Sequence, residues 1–206
     1  MPDLSFIILQ IFFQLVAAVL SLIYLRKSKV TFIVLLSIIL FSSLLVECIG
    51  FYYLTIGKSS FIFHYIYVFI NFNLMSFFYY KLINDNFWFK GVIILMMIFN
   101  ISWVYTFFYK EWLTYIFILG ALSIALSIFL YLRELLLSDR ILNYKKLLYF
   151  WVSVGFLVFY LPSIPFFTLL NYMRTRGLFF ILNILIILMN VFIIYGLLCS
   201  KKEERY

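Results

Sequence analysis

The sequence is short of charge and of the residues from which metal and disulfide sites are built. Only 12% of its 206 residues are charged, about half of the roughly 25% found in soluble domains. Two cysteines and one histidine exclude disulfide scaffolds, zinc fingers and any site that needs several His or Cys ligands. We therefore expect neither a metal nor a cofactor, and the chain cannot cover itself with a soluble surface.

The residues that are present favour a lipid environment. Hydrophobic residues make up 67% of the chain, and the mean hydropathy is +1.14. A membrane-spanning helix needs about 20 mostly apolar residues, and short polar breaks divide the sequence into seven such runs. The sequence predicts an all-α membrane protein with one transmembrane domain over 1–206 and no attached soluble domain. The predicted helices cover about 4–25, 30–56, 61–83, 87–109, 112–132, 147–171 and 178–198.

Basic residues are unevenly distributed between the two sets of alternating loops. Twelve of the 16 Lys and Arg residues fall in the set that contains 26–29 and 133–146. Short cytoplasmic loops are enriched in Lys and Arg, so this predicts an inner-membrane protein with its N-terminus outside and its C-terminus in the cytoplasm. The net charge of +8 then reflects this bias and attraction to the lipid bilayer, so no nucleic-acid partner is expected. Because the start of the chain carries Asp3 and no basic residue, we also expect no cleaved signal peptide.

Two stretches of sequence resemble each other at a spacing that fits an internal repeat. The stretch 18–26 shares Ala, Tyr, Leu and Arg at matching positions with 125–133, and Gly50-Phe51 has a counterpart in Gly155-Phe156. Seven helices can be built as three, a linker helix and three, with both halves in the same orientation. The fold class therefore includes a possible 3+1+3 parallel repeat. The alternative is coincidence, since such matches arise easily in a chain rich in Leu, Ile and Phe.

Polar side chains recur at one depth in several predicted helices. At about 1.5 Å per residue, they lie roughly 13 to 16 Å from the outer helix ends, near the middle of a core about 30 Å thick. The members are Gln14, Glu47, Asn71, Asn100 and Ser123, with Asn183 slightly above this layer and Asn190 below it. A shared level indicates an internal pocket for a small-molecule ligand or a proton. The alternative is that these groups only bond neighbouring helices together.

Glu47 is the only ionisable side chain that the sequence places deep in the membrane. A charge at that depth costs about 2.5 to 3.5 kcal/mol on insertion scales, so we expect Glu47 to face the bundle interior and to keep its proton. Lys and Arg are absent at its depth, which leaves Gln14, His64 and Asn71 as its expected partners. A neutral, purely structural Glu47 and an ordinary interfacial His64 are the alternatives to a site.

The sixth predicted helix contains an irregular segment, Tyr160-Leu161-Pro162-Ser163-Ile164-Pro165. Proline has no N–H, so two carbonyl groups lose their helical partners and the sequence predicts a helix that bends or breaks here. Free carbonyls at the wall of a cavity can bind a cation or a ligand, which makes Tyr160 and Ser163 possible contributors to the site. The alternative is a plain kink whose carbonyls pair with Ser163 or water.

Glu47 in the second helix belongs to a set of features that extends over most of the chain. The others are Phe63-His64-Tyr65-Ile66-Tyr67 through Phe77-Phe78-Tyr79-Tyr80-Lys81, Phe150-Trp151-Val152-Ser153-Val154-Gly155, and the asparagines of the seventh helix. With these features the chain resembles a family of short, uncharacterised seven-helix bacterial integral membrane proteins. The resemblance implies a fold and a location, and it assigns no activity. Asn71 stands where a second acidic residue would be expected, so chemistry based on a carboxylate pair is not implied.

Three kinds of function remain open from the sequence. The first is a small sensing or transport module that binds a ligand or a proton, with Glu47 as the protonation site. The second is an intramembrane lipid-modifying enzyme that uses Glu47 as general acid or base and His64 as its partner. The lack of a second carboxylate counts against the enzyme, so we name no catalytic residue. The third is a structural subunit. A sensor or a subunit would act through another membrane or signalling protein, because no cytoplasmic domain is predicted.

Overall fold

This computed structural model describes residues 4–27, 31–109, 112–169 and 179–199, which contain seven α-helices and no strand. Each helix is long and apolar enough to cross a membrane. They are α1 (Leu4–Lys27), α2 (Thr31–Thr55), α3 (Phe61–Leu82), α4 (Asn86–Phe108), α5 (Leu113–Leu136), α6 (Leu148–Leu169) and α7 (Phe179–Cys199). Hydrocarbon offers no hydrogen-bond partners, so a helix is the form in which each apolar run satisfies its own backbone. The prediction of an all-α, multi-pass membrane protein is confirmed.

Six of these helices form a closed ring, and α4 packs outside it. Going round the ring, α1 contacts α2, α2 contacts α3, α3 contacts α5, α5 contacts α6, α6 contacts α7, and α7 returns to α1. Within the described residues, α4 contacts α3 and α5 only. We call the six helices without α4 the six-helix ring. The six-helix ring surrounds an interior, and α4 does not border that interior within the described residues.

The connection from α5 to α6 is more ordered than an open loop. The last turn of α5 extends to Leu136, and the 3-10 helix Asp139–Lys146 follows. The guanidinium of Arg133 lies 4.4 Å from the ring centre of Trp88, and the carboxylate of Glu134 accepts a hydrogen bond from the backbone N–H of Asn84 at 3.1 Å. These contacts hold the end of α5 against the turn between α3 and α4. They stabilise α5 beyond residue 132, where its apolar run ends, as far as Leu136.

Glycine permits the close approach of α6 and α7. A Cβ atom on Gly155 would lie 2.8 Å from the carbonyl oxygen of Met189, and one on Gly196 would lie 2.8 Å from Cβ of Trp151. Both distances are too short for an ordinary contact between side chain and neighbour. Although the sequence contains only 7 glycines, two of them therefore decide how tightly this helix pair packs.

The prolines of α6 do not break the helix. A single α-helix runs from Leu148 to Leu169 with Pro162 and Pro165 inside it. The hydroxyl of Ser163 donates to the carbonyl oxygen of Tyr160 at 2.8 Å, rather than to either of the carbonyl groups that the prolines free. Residues 30, 170, 171 and 178, which the sequence assigns to predicted helices, lie outside the described residues.

Candidate functional site: a cavity inside the six-helix ring

A cavity of about 360 Å³ lies inside the six-helix ring. Every helix of the ring contributes to its lining, and α4 contributes none of the described lining residues. The polar lining residues are Gln10, Gln14, Ser43, Glu47, His64, Tyr67, Asn71, Tyr160, Ser163 and Asn183. Small-molecule sites typically enclose about 300 to 1,000 Å³, so this central cavity has the size of a site for a compact ligand.

Most of the polar groups belong to α1, α2 and α3, where helical spacing brings them to one side. Gln10 and Gln14 are one turn apart on α1, and the polar residues of α2 and α3 that line the cavity follow the same spacing of three or four. Residues three, four or seven apart share one face of a helix. These three helices therefore build one polar wall, opposite a wall in which α5, α6 and α7 supply mainly Phe, Ile, Leu and Met.

Glu47 lies in the polar wall. Glu47 is half-buried and lines the central cavity. Protein surrounds its carboxyl group. The side chains of Gln10 and His64 are neighbours of this carboxyl group. Tyr67 is also within electrostatic range of Glu47. Glu47 is the one acid of the described lining, and no Lys or Arg of that lining lies beside it.

The ring of His64 is held in one orientation by its own helix and by α2. Its Nδ1 lies 3.1 Å from the carbonyl oxygen of Ser60, and because a carbonyl can only accept, Nδ1 carries the proton. In the neutral imidazole, Nε2 is then the acceptor. A Cβ atom on Gly50 would lie 2.9 Å from Cε1 of this ring. Gly50 therefore makes the space into which the imidazole fits.

Two buried amides of the polar wall have bonded nitrogens and unbonded oxygens. Nε2 of Gln14 donates to Oγ of Ser43 at 3.3 Å, and Nδ2 of Asn71 donates to the hydroxyl of Tyr160 at 2.7 Å. Oε1 of Gln14 and Oδ1 of Asn71 are buried and have no partner among the described residues. An unpaired buried acceptor is unfavourable by about 1 to 3 kcal/mol, so a donor that reached either oxygen would stabilise it.

A second space of about 820 Å³, which we call the vestibule, adjoins the central cavity at the end of the ring where α2 turns into α3. Gly57, Lys58, Ser59 and Ser60 border it at this turn. The vestibule and the central cavity share four lining residues, which we call the gate residues. They are His64, Phe117, Phe167 and Phe179. These side chains stand between the two spaces, so the vestibule and the central cavity adjoin at this end of the ring.

The opposite end of the ring is closed by packed side chains. The ring of Phe32 lies 4.1 Å from that of Phe78 and 4.0 Å from that of Tyr149, measured between centres. The hydroxyl of Tyr79 donates to Oγ of Ser153 at 3.2 Å. A groove of about 510 Å³ at this end shares no described lining residue with the central cavity. The described side chains at this end therefore separate the groove from the central cavity.

The structure brings together most of the site residues considered from the sequence. Gln14, Glu47, Asn71 and Asn183 line the central cavity, as do His64, Tyr160 and Ser163. Asn100 is not part of the described lining, because it lies on α4, outside the ring, and exchanges hydrogen bonds with Asn73 at 3.1 and 3.3 Å. Asn190 is fully buried beyond the lining, where its Nδ2 donates to the carbonyl oxygen of Ile186 at 2.7 Å.

Three polar lining residues, Gln10, Ser43 and Tyr67, are missing from the site considered from the sequence. Gln10 is one turn before Gln14. Ser43 is one turn before Glu47, and Tyr67 is one turn before Asn71. Spacing of four residues from a residue already considered was therefore the signal that could have found them. No group of three or more His, Cys, Asp or Glu that could hold a metal ion occurs among the described residues.

No protein-family model, curated protein or solved structure matches this chain.

Proposed function

We propose that this chain is a small sensing or transport module that binds a small molecule inside the membrane. The observation that carries the proposal is the cavity of about 360 Å³ inside the six-helix ring, with its polar wall and the vestibule beside it. A protein that only supported its neighbours would gain from filling this space with side chains, since interiors are normally close-packed. Glu47 and the two unpaired amide oxygens are the groups that recognise the ligand.

We also propose that the N-terminus lies outside and the C-terminus in the cytoplasm of a bacterial inner membrane. The distribution of Lys and Arg supports this orientation, and the resemblance to short bacterial seven-helix proteins supports the location. The vestibule, bordered by Lys58, would then open to the outside. Lys110, Arg174 and Arg176, which also bear on the orientation, lie outside the described residues. A reporter fused after Tyr206 should be active only in the cytoplasm, and periplasmic activity would reverse the orientation.

The order of the helices supports the further proposal of a 3+1+3 repeat. Round the ring, α1, α2 and α3 are followed by α5, α6 and α7 in the same sequence of contacts, and α4 lies outside as a linker helix would. In parallel repeats of this kind, ligands bind where the two halves meet. The central cavity is lined by both halves, so the repeat and the proposed function agree.

Accessibility of a cysteine in the cavity tests the proposed function. Cys48 and Cys199 are exposed and would first be replaced by alanine. Ser43→Cys then places a thiol in the cavity lining. Ser37→Cys is the matched control, because Ser37 is on the same helix and is buried outside the described cavity lining. We expect a small membrane-impermeant thiol reagent, applied on the vestibule side, to label Ser43→Cys and to leave Ser37→Cys unmodified.

The side from which labelling occurs distinguishes transport from sensing. Transport requires alternating access, so Ser43→Cys should then be labelled in both right-side-out and inside-out vesicles. A sensor needs access only from the vestibule side. If Ser43→Cys and Ser37→Cys are labelled equally slowly from both sides, water does not reach the cavity and the proposal is wrong.

The neighbouring positions of Glu47 and His64 favour one alternative, an intramembrane lipid-modifying enzyme. His64 lies within electrostatic range of the Glu47 carboxyl group, and its Nε2 is the acceptor that a general base requires. Incubation of the purified protein with a total lipid extract, followed by mass spectrometry, tests this activity. A lipid product that forms with the unaltered chain and disappears in both Glu47→Gln and His64→Ala would establish the enzyme. Absence of any such product would exclude it.

A further inference from the structure

The polar wall of the central cavity contains two buried amide oxygens without a partner among the described residues. The amide nitrogens of Gln14 and Asn71 are occupied by Ser43 and Tyr160, whereas their oxygens have no partner among the described residues. Both residues are more than nine-tenths buried. The carboxyl group of Glu47 is a third acceptor on the same wall. A ligand that fits this wall therefore presents several N–H or O–H groups at one end.

The charge of the lining narrows the nature of those donors. Among the described lining residues of the central cavity, Glu47 is the acid, His64 is the one side chain that can become a cation, and neither Lys nor Arg is present. Lys58 borders the vestibule rather than the cavity. A carboxylate enclosed by protein is stabilised by a cation that also donates hydrogen bonds to it. An anionic ligand would instead bring a second negative charge beside Glu47.

The wall opposite Glu47 suits an apolar body next to a cation. Phe117, Phe159, Phe167 and Phe179 all line the cavity. The face of an aromatic ring attracts an ammonium group within about 6 Å of its centre, and the same rings bury hydrocarbon. The volume of about 360 Å³ accommodates a compact body such as a single ring.

We infer that the central cavity binds a small organic ammonium ion with a compact apolar body. This inference rests on the proposed function and narrows its ligand. The N–H groups of the ammonium donate to the carboxylate of Glu47 and to the free oxygens of Gln14 and Asn71, and the apolar body lies against the phenylalanines. The same ion pair forms whether the amine arrives protonated or takes the proton of the Glu47 carboxylic acid.

Three compounds that share a phenylethyl or similar body and differ in charge test the inference. They are 2-phenylethylamine, 2-phenylethanol and 3-phenylpropanoate. The full chain, in nanodiscs of phosphatidylcholine, is dialysed to equilibrium against each compound, with empty nanodiscs as the blank. We expect the amine to bind at least about tenfold more tightly than the alcohol, because charge-assisted hydrogen bonds are roughly twice as strong as neutral ones. The carboxylate should show no saturable binding.

Two pairs of measurements assign the binding to the wall. Glu47→Gln should lower the affinity for the amine much more than the affinity for the alcohol. Asn71→Ala should also lower the affinity for the amine, whereas Asn100→Ala should leave that affinity unchanged. Asn100 is the matched control because it makes the same substitution outside the ring, in the hydrogen-bonded pair with Asn73. If Glu47→Gln does not give a folded, monodisperse protein, the two asparagine variants carry the test.

The outcomes that contradict the inference are distinct from those that contradict the proposed function. If the alcohol or the carboxylate binds as tightly as the amine, or if Glu47→Gln keeps the affinity for the amine, the ligand is not an ammonium ion, although a ligand-binding cavity remains. If none of the three compounds binds, the inference is wrong. The proposed function is also wrong if, in addition, Ser43→Cys is labelled from neither side.

Discussion

The hydrogen bond between Asn71 and Tyr160 should be a measurable cross-brace of the cavity. It joins α3 to α6 with Nδ2 of Asn71 donating to the Tyr160 hydroxyl at 2.7 Å. Within the described residues these two helices do not pack against each other along their backbones. Side chains alone therefore connect them across the interior. Tyr160→Phe removes the acceptor and leaves the shape of the side chain almost unchanged.

The expected magnitude follows from the surroundings of this bond. Hydrogen bonds between membrane helices average about 0.6 kcal/mol and reach about 1.7 kcal/mol. Asn71 and Tyr160 are 7% and 9% exposed, and Oδ1 of Asn71 already lacks a partner among the described residues. Loss of the bond would leave both ends of the amide unpaired, which places this bond in the upper part of the range. We expect a coupling free energy of about 1 to 1.7 kcal/mol.

A double-mutant cycle measures this coupling. The free energies of unfolding of the unaltered chain, Tyr160→Phe, Asn71→Leu and the double variant would be obtained by titration from mild detergent into sodium dodecyl sulfate. The control is a cycle across Asn73 and Asn100, which bond at 3.1 and 3.3 Å in a less buried position outside the cavity, and its coupling should be smaller. Effects at Asn71 and Tyr160 that add to within about 0.3 kcal/mol would refute the cross-brace.

Three further predictions rest on contacts elsewhere in the chain. Gly155→Ala should destabilise the protein by about 1 to 3 kcal/mol, because the new Cβ would lie 2.8 Å from the Met189 carbonyl oxygen. The control Gly91→Ala, whose Cβ would lie 3.5 Å from its nearest neighbour, should not lower the thermal unfolding midpoint. Equal effects of the two variants would contradict the close packing of α6 on α7. Asp85→Ala should lower the free energy of unfolding by about 0.5 to 2 kcal/mol, because the Asp85 carboxylate accepts a hydrogen bond from the Phe87 N–H at 2.8 Å at the start of α4. Asp85→Asn keeps an acceptor, so it should retain most of this stability in the same unfolding assay. Gly50→Ala should slow the labelling of Ser43→Cys severalfold from the vestibule side, because its methyl group would displace the His64 ring that lies 2.9 Å away; an unchanged rate would remove His64 from the gate residues.

The positions of the helices along the chain followed from the sequence. Breaks such as Arg26 to Lys29 and Asn84 to Asp85 interrupt apolar runs of about 20 residues, and a run of this length in lipid has few alternatives to a helix. Depth also followed, because a fixed rise per residue places Gln14, Glu47 and Asn71 at one level. Periodicity of four could have added Ser43 and Tyr67. The continuation of α6 through its prolines could not be predicted, because neighbouring helices can hold such a segment in helical form.

Which of these polar groups share a cavity was decided by tertiary structure. Asn71 and Asn100 are both asparagines near the middle of a long apolar helix, yet one lines the cavity and the other faces Asn73 outside the ring. A helix that is apolar on every side carries no sign of the face that turns inward, and large side chains can fill the gaps between helices in many ways. Sequence therefore determined that polar groups occur at one depth in a seven-helix membrane protein. The packing that closes α1 on α7 and keeps α4 outside, through contacts between residues far apart in the chain, decided which of those groups meet.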